Sequence, residues 1–280
     1  MLIAVVAAML VAVLGVALGG RDGGDAAGPV RTSTTSTEEP STTSSGPSPT
    51  TTTSTSTTTT TPSTTATSVA TGPAVAVRQG PTDERIVALT FDAGSDTGYA
   101  AAILDTLAGR GVPASFGLTG LWTEANRALV RRMAAEGHQL LNHTWSHPSF
   151  TGYSTGTAPL STGERLAQLA RAEDAIRSAS GVAAWPWFRP PYGDEDESVR
   201  IDVGSAGYAY EAMWTVDSLG WKGIPAAEVV ARCLDRAEPG AIYLFHVGSA
   251  STDAEALPAI IDGLRAEGYG FATLADLVAG

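Results

Sequence analysis

The chain has 280 residues, one cysteine and a formal net charge of -12. That length allows one sizeable domain or two small ones, the acidity argues against nucleic acid or an anionic membrane surface as partner, and a single thiol excludes disulfides within the chain. Cys233, the lone thiol, lies in an amphipathic stretch and reads as a small buried hydrophobe.

Residues 1–20 are dominated by the apolar run Leu2 to Leu18, long enough for a signal-peptide core or a marginal membrane anchor. Residues 21–73 form a linker rich in Thr, Ser and Pro that cannot bury enough apolar surface to offset the entropy of ordering. A leader followed by such a stalk implies that the domain after it, residues 74–280, works outside the cell, either anchored at the surface or secreted.

From there, apolar runs of strand length alternate with helical patterns. Strands are expected at Ile86 to Phe91, Ala114 to Leu118, Gln139 to Asn142, Trp187 to Arg189, Ala212 to Val216, Ala241 to His246 and Gly270 to Thr273. Helices are expected at Tyr99 to Ala108, Ala125 to Glu136, Thr162 to Ser180, Ser198 to Ala206, Ala226 to Ala237 and Ala254 to Glu267. The alternation predicts an α/β fold, a parallel sheet curled into a distorted (β/α) barrel of about seven strands.

Barrel enzymes build their sites at the carboxyl ends of the strands, and the polar residues here fall there: Asp92, His143 and His147, Arg189, Asp217 and His246. His143 and His147 stand four apart, a spacing that puts two imidazoles on one face of a helical turn, where they can grip a metal ion or merely face solvent. His138 precedes the third strand, at the opposite end of the barrel, and reads as structural.

Five segments in order, Thr90-Phe91-Asp92-Ala93-Gly94, His143-Thr144-Trp145-Ser146-His147, Phe188-Arg189-Pro190-Pro191-Tyr192-Gly193, Val216-Asp217-Ser218-Leu219-Gly220-Trp221 and Leu244-Phe245-His246, resemble the motifs of the NodB-like polysaccharide deacetylases, carbohydrate esterase family four. The resemblance implies a TIM-barrel-like NodB domain and metal-dependent hydrolysis of N-acetyl groups on a polysaccharide. The divalent metal would be zinc, with cobalt or nickel as substitutes. It implies His143 and His147 as metal ligands, Asp92 as general base, Arg189 as its orienting partner, His246 as general acid and Asp217 as a carboxylate tuning that histidine. The backbone N–H of Tyr192 would serve the oxyanion, and Trp221 and Leu244 would wall a pocket for the acetyl methyl. Peptidoglycan or chitin-type N-acetylglucosamine is the expected substrate. Acetylated xylan attacked as an ester is one alternative, and a catalytically impaired glycan-binding module is another. A monomer is expected.

Two departures from the family pattern stand out. Ala93 occupies the place of a metal-binding aspartate, so Asp96, three residues on, is the expected replacement, with Asp92 itself as the alternative. Gly220 stands where the fourth motif has a second aspartate, which leaves His246 to the support of Asp217 or of nothing.

Overall fold

The computed structural model describes residues 72–279. The expected leader and residues 21–71 of the expected linker therefore lie outside the described residues. Among the described residues, nine strands form one sheet in which every pairing is parallel: β1 (Val75–Val77), β2 (Ile86–Ala93), β3 (Ser115–Leu118), β4 (Gln139–Asn142), β5 (Trp187–Phe188), β6 (Tyr210–Ala212), β7 (Val216–Asp217), β8 (Ile242–His246) and β9 (Gly270–Ala272). Their order is β1-β6-β5-β4-β3-β2-β8-β7, with β9 on the first residues of β2. Around them lie α1 (Ala100–Arg110), α2 (Gly120–Ala125), α3 (Arg127–Ala135), α4 (Thr162–Ser180), α5 (Glu197–Ser205), α6 (Ala226–Asp235), α7 (Asp253–Ala266) and α8 (Leu274–Ala279).

The barrel expectation holds, with one instructive difference. The single strand expected over Ala212 to Val216 is two short strands, β6 and β7, on opposite flanks of the sheet. Only Met213, Trp214 and Thr215 separate them, a reach of roughly 10–14 Å, so the flanks of the sheet must curl close together. Met213 donates its N–H to Val77 on one flank and Thr215 donates to Ile242 on the other. Edge strand β1 and the short helices α2 and α8 carry too few residues for a clear period and were not expected from the sequence.

Register is fixed on the outer face of the sheet. Phe91 pairs with Phe116 on β3 and with Phe245 on β8, and the rings stack at 5.2 and 5.3 Å. These three rings anchor the core between the sheet and its helices, together with Ile103, Leu107, Val130, Leu257 and Ile261. Cys233 is buried in this core, as expected. Because a strand alternates faces, locking Phe91 outward turns Asp92 inward. The barrel interior is filled below the mouth by Ala88, Leu141, Trp187, Ala212 and Ile242, and Leu274 and Leu277 of α8 pack into the same cluster.

Candidate active site

Asp92 ends its strand beside two informative partners. In register it faces His246 on β8 and Gly117 on β3. A Cβ at Gly117 would come within 2.4 Å of Asp92 Oδ1, so the glycine is the space in which the carboxylate lies. Arg189, wholly buried after β5, donates from Nη1 to Asp92 Oδ1 at 2.9 Å and from Nε to the Ala212 carbonyl at 2.9 Å. Burial alone would raise the Asp92 carboxyl, but Arg189 foremost, then His143 and His246, outweigh it and hold the group below the usual aspartate value. Asp92 is thus ionised at neutral pH and bound through one oxygen.

The segment from His143 to His147 is not the helical turn its spacing suggested. It is an irregular loop in which Thr144 and His147 take left-handed backbone angles, φ 69° and 62°. The loop is held by side chains instead: Asn142 Oδ1 accepts the Thr144 N–H, Thr144 Oγ1 accepts the His147 N–H, and Gln168 of α4 accepts the N–H groups of both Trp145 and Ser146 at 2.9 Å. The two imidazoles still meet, with ring centres 4.7 Å apart. Burial lowers both histidines, His147 down to about 3 with His143 adding to the effect, so both are neutral at pH 7. His143 Nδ1 lies 2.9 Å from the Arg189 carbonyl, an acceptor, so Nδ1 carries the proton and Nε2 offers a lone pair.

A cavity of about 570 Å³ opens above these groups. Asp92, His143, His147, Asp217 and His246 line it, together with Tyr192, Trp221 and Leu244. Tyr192 sits at φ 62° directly after Pro190 and Pro191, with its ring 4.7 Å from that of His147. Trp214, Ser95, Ser154 and Gly193 are wall residues that sequence reasoning missed. An indole at the flank-to-flank crossing between β6 and β7 was the available signal for Trp214. Ser154 belongs to the loop from Pro148 to Thr162, and Asp194 ties that loop down by accepting from Ser149 and Ser154. His138 stands apart, buried against Phe116, its Nδ1 accepting the Ala114 N–H.

Two expectations need correction. The Asp96 carboxylate does not line the cavity; it accepts the N–H of Ser249 at 2.8 Å and the Ser249 hydroxyl, and so braces the loop after β8. Exposed and already satisfied by these donors, it has no unmet need to draw it to the imidazoles. Asp217 does not bond His246; its Oδ1 accepts from the Leu219 N–H at 2.9 Å and the Trp221 indole at 3.2 Å, so it orients the tryptophan. Ala93 is wholly buried among apolar residues of the outer core, so its methyl group suits its surroundings.

The donors present suit a divalent cation. Nε2 of His143, a lone pair, faces Asp92 Oδ2, also an acceptor, at 3.5 Å. Two acceptors at that distance repel unless a cation or proton lies between them. Among the described residues, however, no three His, Cys, Asp or Glu side chains are gathered into a ready ligand cluster.

An ionised carboxylate clamped by arginine, two neutral imidazoles and a third imidazole on the adjacent strand, all at the mouth of a (β/α) barrel, are the equipment of a hydrolase. Comparison with known proteins narrows this. A family model for polysaccharide deacetylases matches residues 79–210. Peptidoglycan-N-acetylglucosamine deacetylase of Bacillus cereus is 33% identical over 201 residues, 71% of this chain and 70% of that protein. Peptidoglycan-N-acetylmuramic acid deacetylase of Bacillus subtilis is 33% identical over 202 residues, 71% of this chain and 73% of that one. The crystal structure of a CE4 family pseudoenzyme from Bacillus anthracis superposes with a TM-score of 0.66 at 27% identity, covering 73% of this chain and 69% of that one. The chain belongs to the polysaccharide deacetylase family, carbohydrate esterase family four, a family of hydrolases acting on polysaccharides that also holds a pseudoenzyme.

Proposed function

We propose that this chain removes N-acetyl groups from a polysaccharide outside the cell, with the N-acetylglucosamine or N-acetylmuramic acid of peptidoglycan as its first substrate class. The observation that carries the reading is the Cα pairing of Asp92 with His246, which sets a carboxylate and an imidazole side by side at the mouth of the cavity. A leader and stalk in residues 1–73 would suit an enzyme acting on the wall of its own cell. Chitin oligomers, and acetylxylan as an ester substrate, are the remaining members of the class.

His143 and His147 would hold a divalent cation, zinc foremost with cobalt or nickel as substitutes, and Asp92 is the one carboxylate within 4 Å of either imidazole among the described residues. When bound, the cation supplies Lewis acidity to the acetyl carbonyl and lowers the pKa of water. The residues do the rest. Arg189 occupies Asp92 Oδ1, which leaves Oδ2 for a single duty: it would take the proton of the attacking water, or ligate the cation at the expense of that role. The Tyr192 N–H would donate to the oxyanion, and Leu244 and Trp221 would enclose the methyl. His246 would give the departing amine its proton.

Acetate release from a panel of acetylated glycans, with zinc, cobalt or nickel added and then chelated, tests this reading. Release that depends on metal and is lost in Asp92→Asn supports it. A second reading, a glycan-binding module with impaired catalysis, is favoured by Asp96 being turned to Ser249 and by the likeness to a pseudoenzyme. Binding to peptidoglycan with no acetate released under any of the three metals would establish that reading instead.

A further inference from the structure

Asp253, the first residue of α7, is wholly buried, and nothing in the mechanism above employs it. Its Oδ2 accepts the backbone N–H of His246 at 2.8 Å and the hydroxyl of Ser251 at 2.8 Å. The Ser218 hydroxyl also serves this carboxylate, and its Oδ1 lies against Gly220, where an added Cβ would meet it at 2.0 Å. Retaining a carboxylate in such a place is costly, since burial pushes its pKa up against the donors that surround it.

The ladder explains what it does there. Strand β8 is bonded on one side to β2, up to the Val247 N–H on the Asp92 carbonyl, and on the other to β7, where Ser218 donates to the Leu244 carbonyl. The next bond on that side should satisfy His246 N–H, but β7 has ended. Leu219 turns the chain away at φ 61°, so β7 offers His246 no carbonyl acceptor. A parallel strand that loses its neighbour one residue early leaves an orphan N–H and a free end. Asp253 takes the place of the missing strand.

We infer that Asp253 is a positioning residue for His246, fixing the last residue of β8 in the space that Gly220 leaves open. Position 220 and position 253 form an interlock: one side chain fits, and this chain has placed it on α7. Gly220, a departure from the family motif, is in this structure a requirement of Asp253 and not a simple loss. The inference rests on the proposed role of His246 as proton donor, and its test has one arm that needs no activity.

Asp253→Ala, Asp253→Asn, Gly220→Ala and the double variant Gly220→Ala/Asp253→Ala are made in the full chain. N-acetylglucosamine oligomers with added zinc serve as the probe, and hydrogen exchange at the His246 amide is followed in parallel. Asp253→Ala should lose about 10- to 100-fold in kcat with KM nearly unchanged, the size seen when a supporting hydrogen bond is removed. Asp253→Asn, which can still accept from His246, should recover most of that loss. Gly220→Ala should copy Asp253→Ala by displacing the carboxylate, and the double variant should be no worse than either single one. His246 exchange should quicken in Asp253→Ala and Gly220→Ala and stay slow in Asp253→Asn. If Asp253→Ala does not fold, Gly220→Ala and Asp253→Asn carry the comparison. Unchanged kcat in a protein that does release acetate, or a His246 amide equally protected in Asp253→Ala and wild type, overturns the inference. A wild type that releases no acetate sinks the deacetylase reading alone, and the exchange arm then decides the role of Asp253.

Discussion

Arg189 and Asp92, 97 positions apart in the chain, meet at 2.9 Å inside the barrel mouth with the arginine fully buried. The same guanidinium holds the Ala212 carbonyl, so one side chain ties β2, the end of β5 and β6 together. Fold and chemistry therefore share this pair. Arg189→Met should cost about 3–5 kcal/mol, because it strands a buried carboxylate, and urea denaturation measures it. Asp92→Asn keeps the shape and should retain the fold while lowering acetate release by roughly 100-fold or more.

Gly117 should tolerate no side chain. An alanine there would set its Cβ 2.4 Å from Asp92 Oδ1, and the strands on either side leave the carboxylate no equivalent position. Gly117→Ala should lower kcat by about 100-fold, the scale of a misplaced reacting group, with a stability cost of about 1–3 kcal/mol. Gly109→Ala, in α1 with open space around it, is the matched control and should be neutral or slightly stabilising in a thermal melt.

Metal retention should follow the imidazoles and not Asp96. His143→Ala or His147→Ala should leave the purified, zinc-loaded chain with no bound metal by elemental analysis. Asp96→Ala should retain it within about twofold, since that carboxylate serves Ser249. Loss of zinc in Asp96→Ala would restore the aspartate to the ligand set.

Gln168 reaches from α4 to accept two successive N–H groups of the histidine loop. Gln168→Leu fills similar space but leaves both donors without that acceptor, so zinc affinity should fall by about 10- to 100-fold while the melting temperature changes little. Competition with a chromogenic chelator reads the affinity directly.

Glu211 on β6 is buried with neither carboxyl oxygen hydrogen-bonded. Burial, aided by Glu195 and opposed by Arg200 and Arg78, raises its pKa from 4.5 to about 8. The folded state then holds a proton that the unfolded chain has released between these values, so stability is greatest below about 4.5 and falls as pH rises towards about 8. Integrated over the window, the loss approaches roughly 3–5 kcal/mol. Glu211→Gln should remove that slope in urea denaturation curves measured at several pH values.

Much of this was legible in the residues. Thr162 to Ser180 reads as a helix because apolar positions recur along it, and the structure returns those bounds and adds a capping box between Ser161 and Glu164. Asp92, Arg189 and His246 each follow or end an apolar strand, so a barrel that gathers its strand ends must bring them to one mouth. Side-chain direction beyond the strand ends was not legible. Asp96 and Asp217 stand as near the site in sequence as the residues that serve it, yet loop geometry gives one to Ser249 and the other to Trp221. Asp253 lies seven positions beyond His246, in another element, and only the early end of β7 shows why it turns back. The sequence by itself determined which elements form and which strand ends carry polar groups, because period and burial are local. Which carboxylate serves which partner was decided by the tertiary structure, because a hydrogen bond depends on angles set where separate strands and loops meet.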